Sequence, residues 1–258
     1  MKPLRTCAIP LCAVVGISSA LACAARSGPP ATMAVPAFDY TPPSDTSPSS
    51  AEVTLAIVAP SWGKEFRDAR ERGDWVELPV YSRFASAMEA DFLELLTAKG
   101  FAVRGPFESY ELMPFPDKEG SDLALMPELG VAVEIGSIAR DKTNIWNDSF
   151  TMKGSMTISG RVTLRVTESI TNQLMWSKSI SVPRTDVPWN GTVSNPKDAD
   201  SEAVLRNVVH DPAMHDAVTR GLSRLYPSIL TTAWQYMDPR EMQLLKKQAA
   251  ELKKRWVR

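Results

Sequence analysis

The chain has 258 residues, which is enough for one domain with a sizeable hydrophobic core even after removal of a leader. Its 29 basic and 30 acidic residues nearly cancel, so the composition lacks the positive excess that is typical of nucleic-acid-binding proteins. All three cysteines lie within the first 23 residues, so the rest of the chain has to fold without disulfide bonds.

Residues 1–22 have the pattern of a secretory signal peptide, with two basic residues before an uncharged apolar stretch. That stretch, Ala8 to Leu21, is shorter than the length that a transmembrane helix normally needs. An ordinary signal cleaved after Ala22 would leave an unpaired thiol at the new N-terminus, where it would be reactive in an oxidising compartment. A bacterial lipobox would instead make Cys23 the lipidated first residue. The sequence favours the lipobox, because the other two cysteines leave with the signal and Cys23 then has no disulfide partner.

Residues 23–52 are predicted to be the lipidated cysteine and a disordered tether. This segment is rich in Pro, Ser and Thr and poor in aliphatic periodicity, so it buries too little apolar surface to offset the entropy cost of ordering. An alternative is that part of this segment docks on the folded domain through Phe38, Asp39 and Tyr40. Beyond the tether, we expect an α/β domain over residues 53–237 and a basic amphipathic helix over 238–258.

The domain begins with a predicted strand, helix and strand. Val53 to Pro60 is a short β-branched apolar run, which suits a buried strand. Ser82 to Lys99 places apolar side chains at spacings of three and four, as in an amphipathic helix. Gly100 is expected to end this helix, and a second strand follows at residues 101–107. The two strands are expected to be parallel, through a right-handed crossover.

Three further strands are predicted at residues 129–139, 155–169 and 173–182. In the second of these, apolar and polar residues alternate, which indicates one covered face and one wet face. The residues 169–172 predict a hairpin turn between the last two strands. The expected fold class is therefore α/β (α+β), with one mixed sheet built from a strand-helix-strand unit plus antiparallel hairpin strands. Helices are expected to cover this sheet, and the C-terminal segment is expected to be helical.

The remainder of the chain has helical patterns. We expect a short helix at residues 198–210, a longer one at 211–237, and a last one from Asp238 onward. Apolar residues recur every three or four positions in the last helix: Met242, Leu245, Ala249, Leu252 and Trp256. We expect this stripe to pack on the domain while the basic face lies in water. Homodimer formation through the stripe and attraction of the basic face to anionic membranes are the alternatives.

The sequence lacks the motifs of common enzymes and metal proteins. It has no glycine-rich phosphate loop and no G-x-S-x-G nucleophile elbow. His210 and His215 lack the i, i+4 spacing of a zinc pair. Carboxylate pairs such as Asp91 and Glu94 lie on a predicted helix, where surface charges are expected. We therefore expect no catalytic residue, no metal and no cofactor, while a hydrolase built from carboxylates distant in sequence stays open.

The order of these parts resembles the neuraminyllactose-binding haemagglutinin family of outer-membrane and flagellar-sheath lipoproteins. The segments LLTAKGFAV, VTLRVTESITNQLMWSKSI and AELKK carry the resemblance, which covers about Val53 to Arg258. It implies α/β domains with antiparallel hairpins and a secreted, non-enzymatic surface lipoprotein associated with adhesion. The Lys/Arg-rich stretch of the family would fall near IARDKTNIWNDS, where this chain offers Arg140 and Lys142. The resemblance therefore makes these two residues the ligand-binding candidates.

We expect an outer-membrane lipoprotein, anchored through Cys23, whose domain is an adhesion or envelope-binding module that catalyses nothing. Its expected partners are the outer membrane, through the lipid anchor, and a host glycan or an envelope protein, but no nucleic acid. The alternative is a periplasm-facing accessory lipoprotein of a flagellar, transport or cell-wall complex. The sequence leaves open whether the domain lies on the cell surface or on the periplasmic face.

Overall fold

An open mixed sheet of six strands forms the centre of the fold in the computed structural model of this chain. The structure describes residues 38–43, 50–71, 79–144, 149–194 and 211–256, all of them in the unit Val35–Arg258. The strands are β1 (Thr54–Val58), β2 (Ser61–Trp62), β3 (Ala102–Phe107), β4 (Leu123–Asn144), β5 (Ser149–Glu168) and β6 (Leu174–Ser194). Their order across the sheet is β3-β1-β4-β5-β6, and β2 pairs with β4.

The pairing confirms the predicted mixed sheet. β1 is parallel to both β3 and β4, whereas β5 is antiparallel to both of its neighbours, β4 and β6. Because β1 lies inside the sheet, successive residues are buried on opposite faces: Leu55 and Ile57 belong to the main core, and Ala56 belongs to a smaller cluster. A strand buried on both faces reads as a continuous apolar run, as β1 does.

Five helices are described: α1 (Lys64–Glu71), α2 (Pro79–Ala98), α3 (Phe115–Gly120), α4 (Pro212–Tyr236) and α5 (Pro239–Trp256). The predicted helix at 82–99 is confirmed as α2, which begins three residues earlier because Pro is well suited to the first turn of a helix. Its predicted apolar face is fully buried: Phe84, Met88, Phe92, Leu95 and Leu96. Gly100 follows with a φ of 84°, the left-handed conformation expected at a helix end.

Strands β4 and β6 are longer than the sequence predicted. β4 begins at Leu123 rather than Leu129. The prediction began too late because the first residues of β4 lie between β1 and β5 and are apolar, without the alternation that marks a strand. β4 also extends beyond Ala139. β6 continues past Val182 through two prolines to Ser194. Proline is tolerated in β6 because that strand lies at the edge of the sheet, where one side of the backbone has no strand partner.

The predicted hairpin between β5 and β6 is confirmed. The backbone N–H of Glu168 donates to the carbonyl of Gln173 at 2.9 Å, and Asn172 has a φ of 58°. Asparagine tolerates this left-handed conformation better than most residues. The expected alternation along β5 also holds, since Val162, Leu164 and Val166 have no exposed surface.

The predicted helices at 211–237 and from 238 onward are confirmed as α4 and α5. Asp211 caps α4 by accepting a hydrogen bond from the backbone N–H of Ala213 at 2.7 Å. In α5, Met242, Leu245 and Ala249 are buried in the main core, as expected for packing on the domain. The helix expected at 198–210 lies outside the described residues.

The segment around Phe38 docks on the domain, which is the second interpretation of that part of the tether. The Phe38 ring lies 5.3 Å from that of Phe84 on α2 and 5.4 Å from that of Tyr226 on α4, between ring centroids. Tyr40 is 7% exposed and belongs to the main core. Aromatic burial therefore orders at least this part of the N-terminal segment.

Candidate functional site

A polar cleft opens where β1 and β3 end. It has a volume of about 380 Å³ and lies between α1, the loop after β3 and the strands β4 and β5. In sheets with parallel strands, ligands commonly bind beside the carboxyl ends of those strands. The charged residues that line the cleft are Arg67, Glu108, Glu111, Glu128 and Arg165.

The floor of the cleft carries an ion pair between neighbouring strands. Glu128 on β4 and Arg165 on β5 alternate with residues of the main core, so their side chains lie on the opposite, outer face of the sheet. The guanidinium Nη1 of Arg165 is 3.6 Å from Oε2 of Glu128. Both side chains are about 40% exposed, which leaves further hydrogen-bonding capacity for a ligand.

Tyr110 holds one rim of the cleft in place. Its hydroxyl lies 3.1 Å from the carbonyl oxygen of Ser169 and 2.7 Å from that of Ile170, in the turn between β5 and β6. Lys118 covers the ring, with Nζ 4.2 Å from the ring centroid. Burial raises the pKa of Tyr110, and the nearby Glu168 charge raises it further. The rim is thus fixed by hydrogen bonds to the turn between β5 and β6.

The acidic side of the rim is formed by Glu108 and Glu111, both of which are exposed. Hydrogen bonds from its own backbone N–H and from the Ser109 side chain lower the pKa of Glu111. Across the cleft, Arg67 is also exposed. The site therefore offers guanidinium donors and carboxylate acceptors, which together match a ligand rich in hydroxyl or mixed polar groups.

The outer face of β4, β5 and β6 continues from the cleft as a polar surface. Thr163 on β5 lies opposite Ser179 on β6, with 3.0 Å between their hydroxyl oxygens. Farther along, Arg184 on β6 lies 3.8 Å from Glu134 on β4 in a second exposed ion pair. This face has the polar alternation that the sequence predicts for a wet sheet surface.

The two ligand-binding candidates from the sequence, Arg140 and Lys142, lie far from the cleft. They belong to the last part of β4, where their backbones pair with Met152 and Thr151. Arg140 lies twelve positions after Glu128, a path of roughly 40 Å along an extended strand. The side chains of both candidates lie outside what the structure describes, so their role as ligand contacts stays a prediction.

Cys23 and Ala22, the predicted lipidation and cleavage residues, also lie outside the described residues. Among the helices that are described, none combines the length and the apolar composition needed to cross a bilayer. The described part of the chain contains no group of three or more His, Cys, Asp or Glu side chains arranged to hold a metal ion.

Sequence reasoning missed the cleft. Its charged residues come from four separate segments, and only tertiary structure brings them together. The single signal in the sequence was the alternation in β5, which places Arg165 on the wet face. Arg67 and the two glutamates of the rim belong to stretches that resemble ordinary charged loops or short helices.

The fold is shared with a solved structure of the family that the sequence resembles. A neuraminyllactose-binding haemagglutinin homologue from Helicobacter pylori is 14% identical, with a TM-score of 0.51 over 81% of this chain and 98% of that chain. A Xanthomonas campestris protein of the DUF330 family is 12% identical, with a TM-score of 0.32 over 78% of this chain and 95% of that chain. Lipoprotein GNA1162 from Neisseria meningitidis is 13% identical, with a TM-score of 0.24 over 67% of this chain and 99% of that chain.

No family model and no curated protein matches the sequence. The likeness to the Helicobacter pylori protein therefore shows a common mixed α/β fold at low sequence identity.

Proposed function

We propose that this chain is a cell-envelope lipoprotein, anchored in the outer membrane through Cys23, whose α/β domain is a non-enzymatic binding module of the adhesin type. The lipobox and the unpaired Cys23 support the anchor. The polar cleft at the ends of β1 and β3 supports the binding role, and it is the observation on which the proposal chiefly depends. The fold likeness to a haemagglutinin homologue agrees with this function.

The cleft is suited to an oligosaccharide. Sugar hydroxyls both donate and accept hydrogen bonds, and the cleft presents carboxylates beside guanidiniums within one space of about 380 Å³. Its rim is held by the hydrogen bonds of Tyr110, so little ordering is needed when a ligand binds.

Glu111 at the rim of the cleft is not suited to act as the acid of a hydrolase. A glycoside hydrolase needs one carboxylic acid whose pKa is raised, so that it can protonate the leaving group. The pKa of Glu111 is instead lowered by its hydrogen bonds. Glu128 has a guanidinium partner, Arg165, which occupies part of its accepting capacity.

The first experiment tests anchor and location. Mass spectrometry of the mature N-terminus should find an acylated Cys23, and proteases applied to intact cells should remove the domain. An acylated but protected domain would favour the alternative, a periplasm-facing accessory lipoprotein of a flagellar, transport or cell-wall complex. A mature N-terminus without acyl groups would contradict the anchor.

The second experiment tests the cleft. The purified domain, displayed in multivalent form, would be applied to an oligosaccharide array and to erythrocytes. The double change Arg165→Ser and Glu128→Ser should abolish binding and agglutination. The control is Arg184→Ser with Glu134→Ser, a more exposed ion pair on the same sheet. Equal loss in both variants, or capture of a protein but no glycan, would refute a sugar-binding cleft.

The same assay decides the role of Arg140 and Lys142. If the far end of β4 contacts the ligand, the change of both residues to Gln should weaken binding while the cleft variant leaves it intact. If the cleft is the ligand site, the opposite pattern is expected.

A further inference from the structure

The charges of α5 are divided between two sides of the helix. Lys246 and Lys253 point toward the domain, where their Nζ atoms lie 3.1 Å from Oδ2 of Asp122 and 3.7 Å from Oε1 of Glu168. The exposed charged residues form the opposite side, which we call the basic face: Arg240, Lys247, Glu251, Lys254 and Arg255. Four cations and one carboxylate give this face a positive excess.

Most of these cations are available to an external partner. Lys254 is paired with Glu251 at 2.8 Å, an exposed i, i+3 contact of small energetic value. Within the described part of the chain, Arg240, Lys247 and Arg255 form no ion pair. Arg240 and Lys247 therefore keep their charge without an ion-pair partner among the described residues, while Arg255 lies near the charge of Glu251.

Exposed apolar side chains accompany the basic face. Leu244 is 59% exposed, and it lies four residues from Gln248 and seven from Glu251 on the same side of the helix. Gln248, Glu251 and Arg255 line a groove of about 430 Å³ between α5 and the start of β6. Leu174, at the other wall of this groove, is 49% exposed. Cations beside exposed leucines are the composition of surfaces that lie in a membrane interface.

We propose that the basic face and the exposed Leu174 and Leu244 dock on the surface of an anionic phospholipid bilayer. The cations lie at the level of the headgroups, and the two leucines enter the boundary of the acyl chains. Juxtamembrane lysines and arginines are attracted by the negative surface potential of such a bilayer, and burial of leucine adds a hydrophobic contribution.

A bilayer is the occupant that the chain itself favours. Only 14 residues separate Cys23 from Phe38, which docks on the domain. This length spans at most about 50 Å, so an anchor at Cys23 keeps α5 within reach of the headgroups. The reach of α5 to the membrane depends on the proposed anchor at Cys23, whereas the affinity of the basic face for anionic lipid does not.

Docking through α5 would also orient the domain. Gln243 on α5 donates to the carbonyl of Ala51 at 3.0 Å, just before β1, and Val58 at the other end of β1 lines the cleft. The cleft opens at the far end of β1, but its rim extends to the turn between β5 and β6, and Glu168 at the start of that turn also contacts Lys253 of α5. β4 runs in the same direction as β1, and the path along it from Leu123 to Asn144 is roughly 70 Å.

The test uses the mature chain with Cys23→Ser, which has no acyl group, and vesicles sedimented with the bound protein. Vesicles of phosphatidylglycerol mixed with phosphatidylcholine should bind it at low salt, and vesicles of phosphatidylcholine alone should not. Added salt should release it, because screening weakens exposed charge interactions. The change of Lys247 and Arg255 to Gln should lower the partition on the order of thirtyfold.

Two matched controls separate docking from general effects. Lys64→Gln with Arg184→Gln removes two exposed cations elsewhere and should leave vesicle binding unchanged. Leu244→Ser should weaken binding, whereas Leu112→Ser, which alters a leucine that is 64% exposed, should not.

Equal binding to both kinds of vesicle, or equal losses in the control variants, would overturn the proposal. The proposal would also be overturned if the change of Lys247 and Arg255 to Gln altered the oligomeric state in sedimentation velocity but left vesicle binding unchanged. The basic face would then join two copies of the chain. Lack of acylation at Cys23 would contradict the anchor but would not alter the result with the acyl-free chain.

Discussion

The hydroxyl of Tyr226 on α4 donates a hydrogen bond to Oδ2 of Asp91 on α2, with 2.6 Å between the oxygens. Tyr226 is fully buried and Asp91 is 8% exposed, so the contact joins the two helices inside the core. Burial raises the pKa of Asp91 above its ordinary value of 3.8, and the charges of Asp39 and Glu94 raise it further, while the hydrogen bond from Tyr226 acts in the opposite direction.

We expect Asp91 to make the stability of the domain depend on pH. Because its pKa is raised in the folded state, the folded chain binds the proton more tightly than the unfolded chain. The free energy of unfolding should therefore fall as the pH rises from about 4 through the folded pKa. Asp91→Asn keeps an oxygen that accepts from Tyr226 but has no charge, so it should gain stability relative to the wild type as the pH rises.

Urea unfolding of both proteins between pH 4 and 7 measures this difference. Asp216→Asn, a change at an exposed position of α4, is the control and should follow the wild type. A stability difference between Asp91→Asn and wild type that does not change with pH would contradict the prediction.

The docked N-terminal segment should depend on Phe38. Its ring packs against Phe84 with an interplanar angle of 88°, an edge-on arrangement that aromatic pairs prefer. Phe38→Ala should lower the free energy of unfolding by about 1–2 kcal/mol and expose residues 38–43 to proteases. Phe115→Ala, which alters a ring that is 63% exposed, should do neither. If proteases cut both variants equally, the aromatic contact is not what orders the segment.

Gly221 is expected to contribute to stability where α4 packs on the sheet. A Cβ at this position would lie 2.5 Å from Cδ1 of Ile158 and 2.8 Å from Cγ2 of Val187. Alanine is normally better than glycine in a helix by about 0.5–1 kcal/mol, but overpacking of a core costs about 1–3 kcal/mol. Gly221→Ala should therefore lower the melting temperature, and the added change Ile158→Val should restore part of the loss by removing Cδ1. An additive double variant would contradict this explanation.

The parts of the fold that the sequence predicts are those with a regular periodicity. The buried face of α2 follows from apolar residues spaced three to four positions apart, and the buried face of β5 from apolar residues at every second position. The start of β4 cannot be predicted in this way, because Leu123 to Leu125 is buried between two strands and has no alternation of polar and apolar residues. The end of β6 was missed because Pro183 suggests a strand end, although an edge strand tolerates it.

The candidate site was less predictable than the fold. Glu128 and Arg165 are 37 positions apart in the chain, and only the antiparallel pairing of β4 with β5 brings their side chains to 3.6 Å. Nothing in the local sequence distinguishes either residue from other surface charges. The positions where parallel strands end could be predicted, but the loop residues that surround those ends depend on tertiary packing.

Lys253 and Lys247 should differ sharply in their effect on stability, although both are lysines of the same helix. Nζ of Lys253 donates to the carbonyl oxygen of Ser121 at 2.7 Å and lies 3.7 Å from Glu168, whose side chain has no exposed surface. Glu168 also accepts hydrogen bonds from the backbone of the hairpin turn, at 3.0 Å from Ile170 and 2.6 Å from Thr171. Loss of the ammonium group would leave a buried carboxylate without its counter-ion.

Lys253→Met should therefore lower the free energy of unfolding by about 1–3 kcal/mol, a range reduced because Lys253 itself is partly exposed. Lys247→Met should change the free energy of unfolding by no more than about 0.5 kcal/mol, since that side chain is exposed. Chemical denaturation at neutral pH measures both values. Similar losses in the two variants would mean that α5 is held by its apolar stripe alone, and that the contact between Lys253 and Glu168 adds nothing to the attachment of this helix.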